Sequence, residues 1–292
     1  MPAVTLDAGT IHYEAVGPAH GRPVVFIHGY AMGSSLWRPL SERLAARGLW
    51  CLAPTWPLGA HTEPMRPAAD LTMEGIAAMV AELLAALALD DVVLVGSDTG
   101  GAIAQLVATR TPDRLGALVL TSCDAFEHFP PPVLKPMIAA AKAGPAFDAI
   151  IQPLRTRFGR TRGYGDLAHA QIDALASEWV KPMLNDRGVR RDLRHFTASL
   201  NRETTVRAAA LLPRFTKPAL IAWSADDAFF ELQDGERLAQ ALPHSRHEVI
   251  ANARTFSMID QPDRLGELIA DLAQTPDAVI GHASPEAGEA AA

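Results

Sequence analysis

One carboxylate stands where a tight strand-to-helix turn would present a reactive side chain. Residues 96–100 read Gly-Ser-Asp-Thr-Gly. Such a turn needs small residues two places before and two places after its nucleophile, because the strained backbone passes close to its neighbours. Only Asp98 has glycine at both places, since Ser97 would have Val95 and Thr99 there. A carboxylate is ionised at neutral pH without the help of a base, so the turn predicts Asp98 as a nucleophile.

The sequence around this turn predicts the elements that position it. Continuous apolar runs have the pattern of strands buried on both faces: residues 23–28, 49–54, 91–96, 115–120 and 218–223. Stretches with helical spacing separate them: residues 37–47, 71–89 and 100–110. This alternation predicts an α/β fold with a mostly parallel central sheet and helices on both faces.

A long helical pattern interrupts that alternation at residues 124–212, with prolines near both ends. We interpret it as a helical cap over the carboxyl edge of the sheet, where ligands bind in open α/β sheets. The core domain is then predicted to comprise residues 1–123 and 213–280. Residues 281–292 have no bulky apolar side chain, so a disordered tail is expected there.

Composition narrows the possible partners. The chain is 49% hydrophobic and 20% charged with a net charge of −7, which favours a globular protein and argues against nucleic acid as a partner. The longest apolar stretch, residues 75–89, is too short to span a membrane. The start of the chain lacks a signal-peptide pattern, so a cytoplasmic protein is expected. We expect a small-molecule substrate and leave a homodimer open.

The spacing of potential ligands predicts no cofactor. No metal-ligand spacing and no phosphate-binding loop is present in the sequence. A glycine-rich turn can also open a dinucleotide-binding helix, but no Gly-x-Gly-x-x-Gly follows the first buried strand. The sequence therefore predicts neither a metal nor a nucleotide cofactor.

Three segments together resemble the α/β-hydrolase superfamily. They are His28-Gly29 after a buried strand, the turn at Asp98, and the late segment Trp223-Ser-Ala-Asp-Asp227. The resemblance covers residues 1–123 and 213–275, and an Asp at the turn is similar to the haloalkane dehalogenase and epoxide hydrolase branch. It implies that Asp98 attacks an electrophilic carbon and forms an alkyl ester, which a His-activated water then hydrolyses.

The same resemblance implies further roles. Tyr30, which follows the His-Gly pair, and Thr99, which follows the nucleophile, would each contribute a backbone N–H to an oxyanion hole. Asp227 lies just past a strand, where the family's acid sits. Asp124 or Glu127, just past the preceding strand, is the alternative acid.

The sequence departs from this pattern at the expected catalytic histidine. Residues 251–262 read Ala-Asn-Ala-Arg-Thr-Phe-Ser-Met-Ile-Asp-Gln-Pro. Aligned on the final Gln-Pro, Thr255 occupies the His position and Arg254 the preceding Gly position. Threonine is not a base near neutral pH, so hydrolysis of the ester needs another explanation.

Three hypotheses remain open. A displaced histidine, His61 or His128, could replace the missing base. Asp98 could instead act as an acid or base in a non-hydrolytic, cofactor-free reaction such as elimination, isomerisation or cyclisation. The fold could also keep a binding pocket without catalysis. The leading hypothesis is a hydrolase that acts on a small or medium apolar substrate with an electrophilic carbon, of halide or epoxide type.

Several residues are predicted to contact the substrate. The cap segment has 13 Lys and Arg against nine Asp and Glu, a net charge of +4, which fits either a solvated surface or a mouth that attracts an anion. Arg254 is predicted to reach Asp98 or Asp227 and keep it ionised. The predicted substrate-binding residues are His28, Trp56, Glu127, His128, Trp179, Arg254 and Thr255.

Overall fold

The apolar runs of the sequence become neighbouring strands of one sheet. The computed structural model describes residues 1–274, so the predicted disordered tail lies outside the described residues. Eight strands follow the order β1-β2-β4-β3-β5-β6-β7-β8. They are β1 (Ala3–Leu6), β2 (Gly9–Val16), β3 (Pro23–Ile27), β4 (Trp50–Pro54), β5 (Val92–Asp98), β6 (Leu115–Cys123), β7 (Ala219–Ser224) and β8 (Ser245–Ile250). The pairs of β2 with β1 and β4 are antiparallel, and all others are parallel.

Helices cover both faces of this sheet, as the alternating pattern predicts. Residues 1–274 contain α1 (Arg38–Ala45), α2 (Met73–Ala86), α3 (Thr99–Arg110), α4 (Lys135–Lys142), α5 (Pro145–Ile150), α6 (Arg157–Tyr164), α7 (Asp173–Asn185), α8 (Arg187–Ser199), α9 (Arg202–Leu211), α10 (Leu232–Ala241), α11 (Ser257–Asp260) and α12 (Pro262–Gln274). Alternate residues of β3 enter two separate hydrophobic clusters, Val25 and Ile27 in one, Val24 and Phe26 in the other. The predicted α/β fold with a mostly parallel sheet is confirmed. None of the helices in residues 1–274 has the length and apolar character needed to cross a membrane.

The helices α4 to α9 all lie between β6 and β7, in what we call the cap segment, residues 124–212. Polar contacts join this segment to the rest of the chain. The indole N–H of Trp179 donates to Ser35 Oγ at 2.8 Å, and the Tyr164 hydroxyl donates to the Ala31 carbonyl at 2.8 Å. Both side chains are buried. The cap segment therefore shares buried surface with the loop that follows β3.

The turn between β5 and α3 depends on glycine for steric reasons. A Cβ atom at Gly96 would lie 2.6 Å from the Gly100 carbonyl oxygen and 2.7 Å from the Gly101 Cα. A Cβ at Gly100 would collide with the backbone of Ile27 at the end of β3. These close approaches allow α3 to start directly against β3 and β5.

Replacing Gly96 with Ala should destabilise the fold, because backbone atoms that cannot move easily would meet the added methyl group. We expect Gly96→Ala to lower the free energy of unfolding by about 1–3 kcal/mol. Gly163→Ala, in α6, is the control, since its Cβ would have only an ordinary contact at 3.4 Å. That change should be neutral or stabilise by about 0.5–1 kcal/mol. Urea unfolding measures both, and equal stability of the two variants would contradict the steric assignment.

Candidate active site

Asp98 ends β5 in a strained backbone conformation. Its φ of 55° and ψ of −136° are unusual for a residue other than glycine, and such strain is concentrated at functional sites. Its Oδ1 accepts hydrogen bonds from the backbone N–H of Thr99 at 2.6 Å and of Tyr30 at 3.0 Å. Within residues 1–274, Oδ2 accepts no hydrogen bond, and the residue is half-buried. One carboxylate oxygen is thus held by two N–H groups and the other is free.

The loop after β3 can reach Asp98 because Gly29 has no side chain. A Cβ at Gly29 would lie 2.6 Å from the Asp98 Cγ. The next residue, Tyr30, contributes its N–H to Asp98, while its hydroxyl is 2.7 Å from Thr197 Oγ1 on α8. The same residue therefore connects the carboxylate with the cap segment.

A second carboxyl group, Asp124, lies beside Asp98. The Thr99 hydroxyl donates to Asp124 Oδ2 at 2.9 Å, and the Asp124 N–H donates to the Asp98 carbonyl at 3.2 Å. Burial, followed by the Asp98 charge, raises the pKa of Asp124 well above its ordinary range. Burial also raises the pKa of Asp98, against the effect of its N–H donors and with a contribution from Asp227. The two carboxyl groups are linked through Thr99 and disfavour each other's ionisation.

Asp227 contacts Thr255 instead of an imidazole. The Thr255 hydroxyl donates to Asp227 Oδ1 at 3.0 Å. The N–H groups of Phe229 and Phe230 donate to the same oxygen at 2.8 and 3.1 Å. Asp227 Oδ2 is buried without a hydrogen-bond partner in the described chain, and burial raises the pKa of this carboxyl. Thr255 is thus engaged as a donor and offers Asp98 no base.

The two displaced-histidine candidates are held by other carboxylates. His61 is buried, and its Nε2 lies 3.3 Å from Asp192 Oδ2 on α8. His128 is more than half exposed, and its Nδ1 lies 2.7 Å from Asp234 Oδ2. Neither imidazole makes a hydrogen bond or ion pair with Asp98. These contacts do not bring an imidazole to Asp98, but His61 Nδ1 is buried without a hydrogen-bond partner in the described chain, so a displaced base stays a prediction.

His28 and Trp56 are core residues, which corrects their prediction as substrate contacts. His28 Nε2 accepts from the Trp56 N–H at 2.9 Å, and its Nδ1 is 3.0 Å from the Gly29 carbonyl. Burial lowers the pKa of His28 to about 4, so the imidazole is neutral. The Trp56 indole N–H donates to the Phe26 carbonyl at 3.0 Å, and the side chain is fully buried.

Trp179 and Glu127 also lie elsewhere than predicted. Trp179 is buried and packs edge-on against Phe256 with ring centroids 6.0 Å apart, so it belongs to the contact between cap segment and core. Glu127 is at the surface, where its carboxylate is 3.0 Å from the Arg237 guanidinium. Neither residue is positioned as a substrate contact beside Asp98, because each is satisfied by another neighbour.

Arg254 likewise does not reach Asp98 or Asp227. Its guanidinium lies 3.4 Å from the Gly165 carbonyl and 3.6 Å from the Asp166 carboxylate, both in the cap segment. The reason is packing, because the loop after α6 lies against the loop that carries Arg254. The prediction of an arginine that keeps the central carboxylates ionised is therefore wrong.

Tyr164 is nearer to the site than the sequence indicated. The buried Tyr164 hydroxyl donates to the Ala31 carbonyl. Burial raises its pKa, and Tyr30 and Asp98 raise it further. The sequence gives little indication that Tyr164 lies here, since its only distinction is that it is the one tyrosine of the cap segment. Within residues 1–274, no group of three or more His, Cys, Asp and Glu side chains is arranged to hold a metal ion.

The chain is similar to known proteins that have an α/β-hydrolase fold or are named as hydrolases or dehalogenases. A family model described as alpha/beta hydrolase fold matches residues 22–262. "Haloalkane dehalogenase 2" of Mycobacterium tuberculosis (strain ATCC 25618 / H37Rv) is 27% identical over 271 residues, covering 90% of this chain and 91% of that protein. "2-hydroxy-6-oxononadienedioate/2-hydroxy-6-oxononatrienedioate hydrolase 1" of Dechloromonas aromatica (strain RCB) is 24% identical over 273 residues, 89% of each chain. A crystal structure of an ancestral haloalkane dehalogenase has a TM-score of 0.78 at 20% identity, covering 95% of this chain and 100% of its own, which concerns the fold alone.

The raised pKa of Asp124 predicts how stability depends on pH. A carboxyl whose pKa is higher in the folded than in the unfolded state loses stability as pH rises from the unfolded value through the folded one. Asp124→Asn removes this loss and keeps an oxygen that accepts from Thr99. The variant should therefore gain in melting temperature relative to the wild type at pH 8, and gain less or lose at pH 4. Thermal unfolding at both pH values tests this, and a difference that does not vary with pH would contradict the assignment.

Proposed function

The chain belongs to the α/β-hydrolase family, and from that premise we propose that Asp98 is the nucleophile of a hydrolase acting on a small or medium, largely apolar substrate. The reacting atom is an electrophilic carbon, as in an alkyl halide or an epoxide. The observation that carries this proposal is the different hydrogen bonding of the two oxygens of the Asp98 carboxylate. Oδ1 is held by two backbone N–H groups, and Oδ2 is free of hydrogen bonds from residues 1–274.

The contacts of Asp98 support a displacement as the first step. Oδ2 forms a new bond to the substrate carbon while the bond from that carbon to the leaving group breaks. A halide leaves with the electron pair, whereas an epoxide opens to an alkoxide that stays attached to the ester and takes a proton from water. The product is an ester of Asp98 in which Oδ1 is the carbonyl oxygen. Donors that already face Oδ1 need no rearrangement during this step.

The same donors suit ester hydrolysis, but a base is missing. When water attacks Cγ, negative charge develops on Oδ1, between the N–H groups of Tyr30 and Thr99. The attacking water must also lose a proton. The Thr255 hydroxyl donates a hydrogen bond to Asp227. A hydroxyl is too weak a base to take the proton from the attacking water. We therefore propose that ester breakdown is the slow step and that the covalent ester accumulates.

A second candidate function follows from the Asp98–Thr99–Asp124 arrangement. A carboxyl group with a raised pKa beside another carboxylate offers a proton donor and a proton acceptor in one site. Such a pair favours a non-hydrolytic, cofactor-free lyase, isomerase or cyclase reaction, with Asp98 as acid or base. A protein that binds the same ligand without catalysis is the third possibility. One relative is named a haloalkane dehalogenase and another a dioate hydrolase. These names support a hydrolase, but they do not favour one particular substrate.

Intact-protein mass spectrometry distinguishes these functions. The chain is incubated with a panel of haloalkanes and epoxides, and Asp98→Asn is the control because it keeps the side-chain shape without the carboxylate. On the wild type we expect an added mass equal to the alkyl group less one hydrogen for a haloalkane, and equal to the whole molecule for an epoxide. The variant should show neither, because only the carboxylate can form the ester. Neither adduct nor product with any member of the panel would count against the nucleophile proposal.

Restoring an imidazole beside Asp227 should relieve the slow step. In Thr255→His, the imidazole N–H can donate to Asp227 in place of the hydroxyl and leave the second nitrogen as a base. We expect ester breakdown to accelerate by about 10²–10⁴-fold, the usual effect of a general base. Thr255→Ser, which keeps the donor, should not change the rate. The decay of the adduct mass with time measures the rate of ester breakdown. A folded Thr255→His variant with an unchanged rate would contradict the proposal that a missing base limits this step.

A further inference from the structure

A cleft lies between the cap segment and the loop after β8, and it is separate from the contacts of Asp98. Its volume is about 260 Å³. The helix α6, the chain that follows it, the start of α7 and Arg254 form its walls. Asp98, Asp124 and Asp227 are not among its lining residues.

The cleft combines an apolar floor with a cationic rim. The side chains of Tyr164, Ala168, Ile172 and Ala176 line it and are all buried. Arginines stand around this floor: Arg157, Arg160 and Arg254. An apolar surface next to guanidinium groups matches a ligand with an apolar body and an anionic end.

Two of these arginines have charge to offer a ligand. Arg157 is exposed and has neither an ion pair nor a hydrogen bond from its side chain within residues 1–274. The Arg254 contacts are long, at 3.4 and 3.6 Å, and its carboxylate partner Asp166 is 76% exposed. An exposed partner at such a distance contributes little, so water or a ligand can replace it.

The other polar groups of the cleft are engaged by neighbouring carboxylates. Arg160 binds Asp173 through two hydrogen bonds of 2.8 and 3.2 Å. His169 Nε2 is 2.9 Å from Asp226 Oδ2. Among the arginines that line the cleft, Arg157 and Arg254 are therefore the two without a close carboxylate partner in residues 1–274.

Both walls are held in place by one carboxylate. Asp260 accepts hydrogen bonds from the backbone N–H groups of His169, Ala170 and Arg254 at 3.0–3.1 Å. The Phe256 N–H also donates to the Leu167 carbonyl at 2.8 Å. A site whose walls are already fixed loses less conformational entropy when a ligand binds.

We propose that this cleft is a binding site for a small carboxylic acid with an apolar body. The carboxylate lies between the guanidinium groups of Arg157 and Arg254, and the apolar body lies against Tyr164 and Ile172. The volume admits a short aliphatic or single-ring acid and is below the range of about 300–1,000 Å³ typical of pockets for larger ligands. Tyr164 connects the floor with the loop that contacts Asp98, through its hydrogen bond to Ala31. The site itself does not depend on the chemistry proposed for Asp98.

Calorimetric titration of the full chain with benzoate at low ionic strength tests this site, with benzyl alcohol as the neutral ligand of similar shape. We expect saturable binding of benzoate and at least tenfold weaker binding of benzyl alcohol. Arg157→Gln and Arg254→Gln should each weaken benzoate binding by about tenfold or more, because each removes a charge-assisted hydrogen bond. Arg162→Gln is the control on the same helix, since Arg162 lies over the Phe158 ring and outside the cleft.

Three results would overturn the proposal. They are equal affinity for benzoate and benzyl alcohol, an effect of Arg162→Gln as large as that of Arg157→Gln, and absence of saturable benzoate binding. Asp98→Asn separates this site from the one at β5. Benzoate affinity unchanged in that variant supports the cleft, whereas its loss would mean that benzoate binds at Asp98 instead.

Discussion

The backbone at Asp98 is the constraint on which the site depends. A φ of 55° turns the chain sharply between β5 and α3, and it points the carboxylate back toward the loop after β3. The turn closes only because Gly96 and Gly100 let backbone pass where a methyl group would collide. Gly29 allows the loop to approach the carboxylate from the other side. The order of β3, β5 and β6 in the sheet then sets which groups can surround the carboxylate.

The electrostatics of this region are unusual because carboxyl groups meet without cations. Asp98, Asp124 and Asp227 take part in no ion pair within the part of the chain that the structure describes. Their hydrogen-bond donors are backbone N–H groups and the hydroxyls of Thr99 and Thr255. Burial therefore raises the pKa of all three, which costs stability at neutral pH. An arrangement with this cost and no compensating ion pair is typical of a functional site.

The cap segment contributes to the site around Asp98 through packing contacts more than through reactive side chains. Tyr30 contacts Thr197, Tyr164 contacts Ala31, and His61 contacts Asp192, each across the boundary between core and cap segment. These contacts use polar side chains that would otherwise be candidates for acid or base roles. They position the loop after β3, whose N–H group faces Asp98.

The sequence by itself determined the fold class, the position of the turn, and the placement of Asp98 and Asp227 near the carboxyl ends of parallel strands. Hydrophobic periodicity and glycine spacing are local properties, so they can be recognised from neighbouring residues alone. Only the tertiary structure decided the partners of the side chains. His61 meets Asp192, which is 131 residues away, and Arg254 meets Gly165 and Asp166 instead of the central carboxylates. A polar side chain is satisfied by whichever groups packing brings within reach, and no local pattern encodes which groups those are.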